Sequence, residues 1–267
     1  MKKVILISGI SSGFGLETAK ALAAKGYIVY GTVRRDTVEI PGVHYLNGVD
    51  VRNEESVRSA VSQVITEQGR IDVLLNNAGM GIGGPIELTS TEDIRLQMDT
   101  NFMGLTHFVR SVLPEMRKLR KGTIIAISSI GGLMGLPFQG FYSASKFAIE
   151  GFIQALRIET REFGIHCTVI EPGDFSTGFT ANRLKGLSEK AFETYPHFKA
   201  SMEGIERDEK GGLKPEKLAS VICSIVECRK PRCSYVVASP VQRLAVFLNR
   251  FLPERFFSWM LGKFYGL

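Results

Sequence analysis

Apolar runs and helical spacings take turns along this chain from its first residues. Residues 4–8 form an unbroken apolar run ending at a serine and a glycine, which predicts a buried strand; 13–25 carries helical spacing and stops at Gly26; 27–33 is β-branched and aromatic, a second strand. The same reading predicts strands at 43–48, 71–75, 123–128, 165–170 and 234–238, and helices at 54–68, 91–119, 142–163 and 215–228. The 54–68 helix rests on Val57, Val61, Val64 and Ile65, while 174–215 is polar with no strong period. Strands alternating with helices at this spacing imply right-handed β-α-β units and a parallel, doubly wound sheet, an α/β fold. No repeat, low-complexity tract or linker interrupts the pattern, so residues 1–267 read as one domain.

Composition narrows the class. At 44% hydrophobic and 22% charged the chain can bury a sizeable core and is not of the disordered kind. The net charge of +6 is modest and fits an anionic cofactor or an acidic surface; no nucleic-acid motif accompanies it. The N-terminal apolar run is too short for a signal peptide and no run approaches the ~18 apolar residues of a spanning helix, so a soluble, cytoplasmic protein is expected. Cys167, Cys223, Cys228 and Cys233 match no common zinc spacing and the four histidines stand far apart, so reduced thiols and no metal are expected.

The segment Ser8-Gly9-Ile10-Ser11-Ser12-Gly13-Phe14-Gly15 follows the first predicted strand and opens the first helix. A turn at that place whose side chains are small lets a pyrophosphate approach the backbone, and the helix N-terminus offers free N–H groups and partial positive charge. Its Gly-x3-Gly-x-Gly spacing is looser than Gly-x-Gly-x-x-Gly, and its position carries the inference that Gly9, Ser11, Ser12, Gly13, Phe14 and Gly15 bind a dinucleotide. The second strand ends Gly31-Thr32-Val33-Arg34-Arg35, without the carboxylate that holds a ribose 2′-hydroxyl. Basic residues stand where a 2′-phosphate would lie, so NADP(H) is expected ahead of NAD(H), with Arg34 as its ligand; the neighbouring Asp36 works against this. Asp50, with Val51 beside it, follows the third strand and either accepts from the adenine amino group or caps a turn.

Tyr142 and Lys146 are four residues apart at the start of a predicted helix, hence on one face. A phenol with a reference pKa of about 10 is a poor proton carrier at neutral pH, and an adjacent ammonium brings it toward the working range. Ser128 and Ser129 end the fifth strand, at the carboxyl edge where ligands bind in such sheets. With Gly9/Gly13/Gly15, Asn76-Asn77-Ala78-Gly79, Asn101, Ser129, Tyr142, Lys146, and Pro172-Gly173 followed by Thr177, residues 1 to about 180 resemble the short-chain dehydrogenases/reductases. The stretches 129–137 and 142–148 are similar to the 17β-hydroxysteroid and retinol dehydrogenase branch. The departures are Ser8 where threonine is usual and Phe14 where an aliphatic residue is commoner.

The resemblance implies a Rossmann fold in which Tyr142 donates a proton to the substrate oxygen, Ser129 holds that oxygen, Lys146 binds the nicotinamide ribose and lowers the Tyr142 pKa, and Asn101 positions a relay water. It also implies that Asn76 and Ala78 contact the cofactor and stabilise the sheet, that Asn77 and Gly79 belong to the same cofactor-binding motif, and that Pro172, Gly173 and Thr177 flank the nicotinamide. In the family, the segment at 178–214 covers the substrate; here it holds Phe179, Phe192, Tyr195, Phe198 and Met202, which either suit an apolar ketone or alcohol or form ordinary helices packed on the body. The tail, 241–267, contains seven aromatic residues and four basic residues against one acidic residue, divided by Pro253. It reads as an interfacial membrane segment, a wall for a lipid-like substrate, or a surface buried against the body or a partner subunit. The expected function is NADP(H)-dependent interconversion of a ketone or aldehyde and an alcohol on a steroid, retinoid or long-chain keto-lipid, in a homodimer or homotetramer. The alternative is a dinucleotide-binding sensor or scaffold without turnover.

Overall fold

The computed structural model describes residues 2–35, 39–179, 183–185 and 189–267. The apolar run at the N-terminus is strand β1 (Val4–Ile7), followed by α1 (Gly13–Ala24), β2 (Ile28–Thr32), β3 (Val43–Leu46), α2 (Glu54–Gln68) and β4 (Val73–Asn76). Asn53 caps α2 by accepting the Ser56 N–H at 3.0 Å, and Gly69 ends the helix in the left-handed region. Beyond a two-residue strand β5 (Ile82–Gly83) come α3 (Thr91–Met98), α4 (Gly104–Lys118), β6 (Gly122–Ile127), α5 (Gly140–Glu159) and β7 (Ile165–Pro172). Then follow β8 (Leu184–Lys185), α6 (Glu189–Thr194), α7 (Phe198–Lys210), α8 (Pro215–Glu227), β9 (Ser234–Val237), α9 (Pro240–Phe251) and α10 (Glu254–Phe264).

Seven strands form one parallel sheet in the order β3-β2-β1-β4-β6-β7-β9, and β5 pairs with β8 beside it. The chain winds outward from β1 to β3 and then returns to β4, so the order reverses between β1 and β4 and a crevice opens at their carboxyl ends. The inner strands are buried on both faces, while the edge strands β3 and β9 are partly exposed. Val57, Val61, Val64, Phe108, Val112, Ile149 and Ile153 from α2, α4 and α5 cover one face; Ala19, Leu22, Leu218, Ile222 and Ile225 from α1 and α8 cover the other.

The expected single helix over 91–119 is interrupted. Between α3 and α4, Asp99–Met103 makes one turn of π-helix, closed by the Gly104 N–H bonding the Asp99 carbonyl. Wider turns of this kind insert a residue without breaking the apolar rhythm, which is why spacing alone does not reveal them. The polar stretch after β7 contains α6 and α7. The tail divides at Pro253 as the sequence indicated, and α9 starts with a capping box between Ser239 and Gln242.

Candidate active site

The floor of the crevice is the turn between β1 and α1. Gly9 and Gly13 take φ of +71° and +57°, and a Cβ on Gly15 would lie 2.1 Å from the Gly9 carbonyl oxygen, so the helix can approach the strand only without one. Ser8 ties the turn to β4: its Oγ accepts the N–H of Asn77 at 2.9 Å and of Ala78 at 3.0 Å. Asn77 Nδ2 donates back to the carbonyls of Ser8 (3.0 Å) and Gly9 (2.7 Å), and the Gly9 N–H bonds Thr32 Oγ1 at 3.1 Å. A serine at position 8 therefore suffices. Unlike α2 and α9, α1 begins with no side-chain cap, and unlike α2 it has no acidic residue in its first turn, which leaves its first N–H groups for an anion.

From this turn a continuous cleft of about 890 Å³ leads to Ser129, Tyr142 and Lys146. Gly9, Ser11, Ser12, Gly13 and Phe14 line it, as do Arg34, Asp50 and Val51 on one side and Pro172, Gly173 and Thr177 on the other. Asn77, Ala78 and Gly79 complete it, whereas Asn76 is buried behind them and Gly15 acts through packing. Phe14 meets Phe175 edge-on at 4.9 Å. Arg34 and Arg35 are both exposed, but only Arg34 lines the cleft, and Asp36 lies outside the described residues. The Asp50 carboxylate is engaged by Arg52, whose Nε reaches both its oxygens at 2.9 and 3.1 Å and holds its pKa below the ordinary carboxylate range. Val51 is fixed by His107, whose Nδ1 donates to the Val51 carbonyl at 3.0 Å.

Tyr142 and Lys146 share the inner face of α5 and are both buried. Burial pushes the Tyr142 phenol up to about 12; a hydrogen bond with Ser129 and the charge of Arg183 oppose the rise, and Glu209 and Asp174 add to it. The sequence reading expected Lys146 to lower that pKa. Burial sets the phenol instead, and Lys146 is not among the groups that shift it: Lys146 Nζ donates to the Ile127 carbonyl at 2.9 Å, stands 5.7 Å from the phenol ring centre, and is itself brought down to about 8 by desolvation, with Glu150 opposing. Ser129 Oγ accepts the Gly131 N–H at 3.0 Å and turns its own hydrogen to the Tyr142 oxygen, so the two hydroxyls meet in the cleft.

Asn101 occupies the π turn, and its side chain is committed. Its Oδ1 accepts the Met80 N–H at 2.8 Å, while Nδ2 donates to the Met80 carbonyl and to Ser145 Oγ, both at 3.0 Å. It thus locks the loop after β4 onto α5 beside Tyr142 and Lys146. Both amide hydrogens are used, so a relay water could meet this amide only at the second lone pair of Oδ1.

Several cleft residues escaped the sequence reading. Of Phe179, Phe192, Tyr195, Phe198 and Met202, Phe179 alone lines the cleft, 5.7 Å from the Tyr142 ring; Ile205 lines it as well. Phe198 and Met202 are buried with Ala191 and Ile205 in a small second core, against which Phe192 and Tyr195 pack, so this segment mostly follows the ordinary packing alternative. The polar members matter more: Asp208 and Glu209 of α7 and Asp174 after β7 line the cleft, and buried Arg183 pairs with Glu209. From the tail, Gln242 donates to Asp174 and accepts the Asp174 N–H at 3.3 Å. Gly173 makes room, since a Cβ there would lie 2.2 Å from Gln242 Oε1. Behind this clasp Leu244, Leu248, Phe257, Met260, Leu261 and Phe264 form an apolar wall. No local motif signals these contacts, because Gln242 and Asp174 are 68 residues apart and Arg183 and Glu209 are 26 apart.

Comparison with known proteins agrees with the geometry. Residues 3–187 match the short chain dehydrogenase family. The chain is a short-chain dehydrogenase/reductase. Among its relatives, 3-ketodihydrosphingosine reductase of Bacteroides thetaiotaomicron is 48% identical over 99% of this chain and 98% of its own. Human retinol dehydrogenase 8 is 36% identical over 86% and 79% of the two chains, and human 17-beta-hydroxysteroid dehydrogenase type 1 is 32% identical over 88% and 77%. These are the branch that the 129–148 region resembled. Similar solved structures include a short chain dehydrogenase/reductase of Burkholderia phymatum in complex with NAD (TM-score 0.78, 26% identity, 92% of each chain). Another is ElxO with NADP bound (0.72, 26%, 88% of this chain and 96% of that one). The uncapped α1 terminus, the glycine cradle and the single cleft joining them to Tyr142 fit a nicotinamide dinucleotide in this short-chain dehydrogenase/reductase.

Proposed function

We propose that this enzyme uses NADP(H) to reduce a long-chain amino ketone of the 3-ketodihydrosphingosine type to its secondary alcohol. The observation that carries the reading is the end-to-end 48% identity with the Bacteroides reductase of that substrate. Such a ketone stands beside a carbon bearing a basic amine, at the head of a long alkyl chain. The cleft offers a counterpart for each part. Asp174, Asp208 and Glu209 line it, and the nearby Arg183 guanidinium pairs with Glu209, so a protonated amine meets negative charge close to Tyr142. The tail wall receives the alkyl chain, each buried methylene contributing about 0.8 kcal/mol.

When bound, the reduced nicotinamide supplies the hydride that the carbonyl carbon accepts. Tyr142 gives its phenolic proton to the carbonyl oxygen, completing the alcohol, and Ser129 donates a hydrogen bond to the same oxygen as charge develops. A phenol pushed up to about 12 is protonated at neutral pH, the form that reduction needs. Lys146, held by the Ile127 carbonyl, presents its amine beside Tyr142 for the ribose hydroxyls. Arg34, at the exposed end of the cleft beyond β2, pairs with the 2′-phosphate.

Reduction of a long-chain 3-keto amine by the purified enzyme, followed by loss of reduced-nicotinamide absorbance, tests this against the same ketone without its amine. The amino ketone is expected to show the lower KM, and Asp174→Asn to raise that KM while leaving the amine-free ketone unchanged. Burial, with Glu209 and Asp208 adding to it, pushes Asp174 up to about 6. As pH falls through that value the carboxylate is neutralised, so the preference for the amine should fade below it and return above it. Equal KM values for the two ketones at neutral pH would remove the amine from the proposal.

A further inference from the structure

The tail has two apolar faces. On α9 and α10, Leu248, Phe257 and Leu261 look into the cleft, while Phe247, Phe251, Phe256 and Trp259 line none of it and are exposed, Phe251 to 65% and Trp259 to 59%. The outer aromatics gather in pairs, Phe247 with Phe251 at 4.7 Å and Phe256 with Trp259 at 5.7 Å. Val241, Leu244 and Phe264 belong to both faces: they line the cleft and are exposed, so apolar surface runs unbroken from the cleft to the outside. The α9 helix buries none of its residues and meets the body through polar anchors, Gln242 on Asp174 and Asn249 Nδ2 on the Leu133 carbonyl at 2.8 Å. A contiguous exposed apolar patch of this kind marks a surface that binds something.

Charge says what. Arg243, Arg250, Arg255 and Lys263 are all exposed, and none is in an ion pair among the described residues; Glu254 is the one acidic residue between 241 and 267. At 100° per residue, Arg243 and Arg250 fall beside Phe247 at the rim of the apolar arc. A second copy docked symmetrically on this face would oppose these cations with the same cations. An anionic bilayer opposes them with phosphates and takes the aromatics at its interface. Neither helix is long and apolar enough to cross a membrane, which leaves lying on one.

We infer that the outer face of α9 and α10 docks the enzyme on an anionic lipid surface, with the mouth of the cleft turned toward the bilayer. Docking needs only the tail and goes beyond the choice of ketone; passage of substrate from bilayer to cleft along Val241, Leu244 and Phe264 rests on the lipid substrate proposed above.

Trp259 is the chain's one tryptophan, so its emission reports this face directly. Full-length protein is titrated with vesicles of phosphatidylglycerol and phosphatidylcholine, and with phosphatidylcholine alone. The anionic vesicles should shift the emission to shorter wavelength, and brominated acyl chains should quench it. Replacing Arg243, Arg250 and Arg255 together by serine should weaken partitioning by roughly fivefold per residue, on the order of a hundredfold in all. Phe251→Ser with Phe256→Ser should weaken it also, leaving turnover of a short, water-soluble ketone and the far-ultraviolet circular dichroism as in the parent. An emission maximum unmoved by either vesicle would overturn the inference. So would a blue shift that needs no vesicle, grows with protein concentration and accompanies a dimer in sedimentation, since that gives the face to a second copy. Both readouts are independent of which ketone the enzyme reduces.

Discussion

The two ends of the cleft are built differently. At the cofactor end every group stands on the carboxyl edge of a strand or the turn beside it, and the fit is set by missing side chains at Gly9, Gly13 and Gly15 and by backbone bonds through Ser8 and Asn77. At the substrate end the wall is two helices added after the last strand, tied down by Gln242 on Asp174, Asn249 on Leu133, and Ser201 Oγ on the Tyr265 carbonyl at 2.6 Å. The helix N-termini show the contrast in small: α1 is left uncapped for an anion, whereas α9 is closed by its own capping box. Hydride and proton transfer demand close placement, which the sheet edge and the α5 helix packed on it provide. Holding an alkyl chain demands apolar area with little directional precision, which two docked helices provide.

The largest effect is expected at the catalytic centre. Tyr142→Phe should lower kcat on the order of a hundredfold to ten-thousandfold for every ketone, long or short, while NADPH binding followed by fluorescence stays intact. Turnover within a few-fold of the parent would remove Tyr142 as the proton donor. Next in size, if Arg34 pairs with the 2′-phosphate as proposed, Arg34→Ala removes a charge-assisted contact of about 1.5–3 kcal/mol and should raise the KM for NADPH roughly tenfold to a hundredfold with little change for NADH. An equal change for both cofactors would contradict the assignment. The smallest effect belongs to the tail: Gln242→Ala cuts the clasp on Asp174, about 1 kcal/mol, and should raise the KM of a long-chain ketone roughly fivefold. A short ketone should scarcely notice. If both suffered alike, the tail would be serving the catalytic centre and not the chain.

Much of the cofactor end was legible along the chain because its parts are local. The glycine turn spans seven residues, Tyr142 and Lys146 are one helical turn apart, and Arg34 follows its strand directly. The strands appear where β-branched and aliphatic runs lie, since sheets buried on both faces need continuous apolar sequence. What misled was equally physical. The π turn at Asp99–Met103 keeps the apolar rhythm of one long helix, so Asn101 could be expected from the family resemblance to hold a relay water, but its clamp on Met80 and Ser145 could not be read from spacing. The aromatics of 178–214 looked like a substrate cover, but Phe198 and Met202 fill a core of their own and only Phe179 reaches the cleft.

The sequence by itself determined the class of sheet, the dinucleotide turn and the Tyr142–Lys146 pair, because each depends on neighbours a few residues away and on the period of the local backbone. Only the tertiary structure decided what surrounds that pair. It brought Asp174, Glu209 and Arg183 within reach of Tyr142, pushed its phenol up by burial, and laid a tail with seven aromatic residues along the same cleft, one face inward and one outward. Those outcomes depend on contacts between residues distant in the chain and on exclusion of water by the whole fold, and neither leaves a periodic trace in the order of residues.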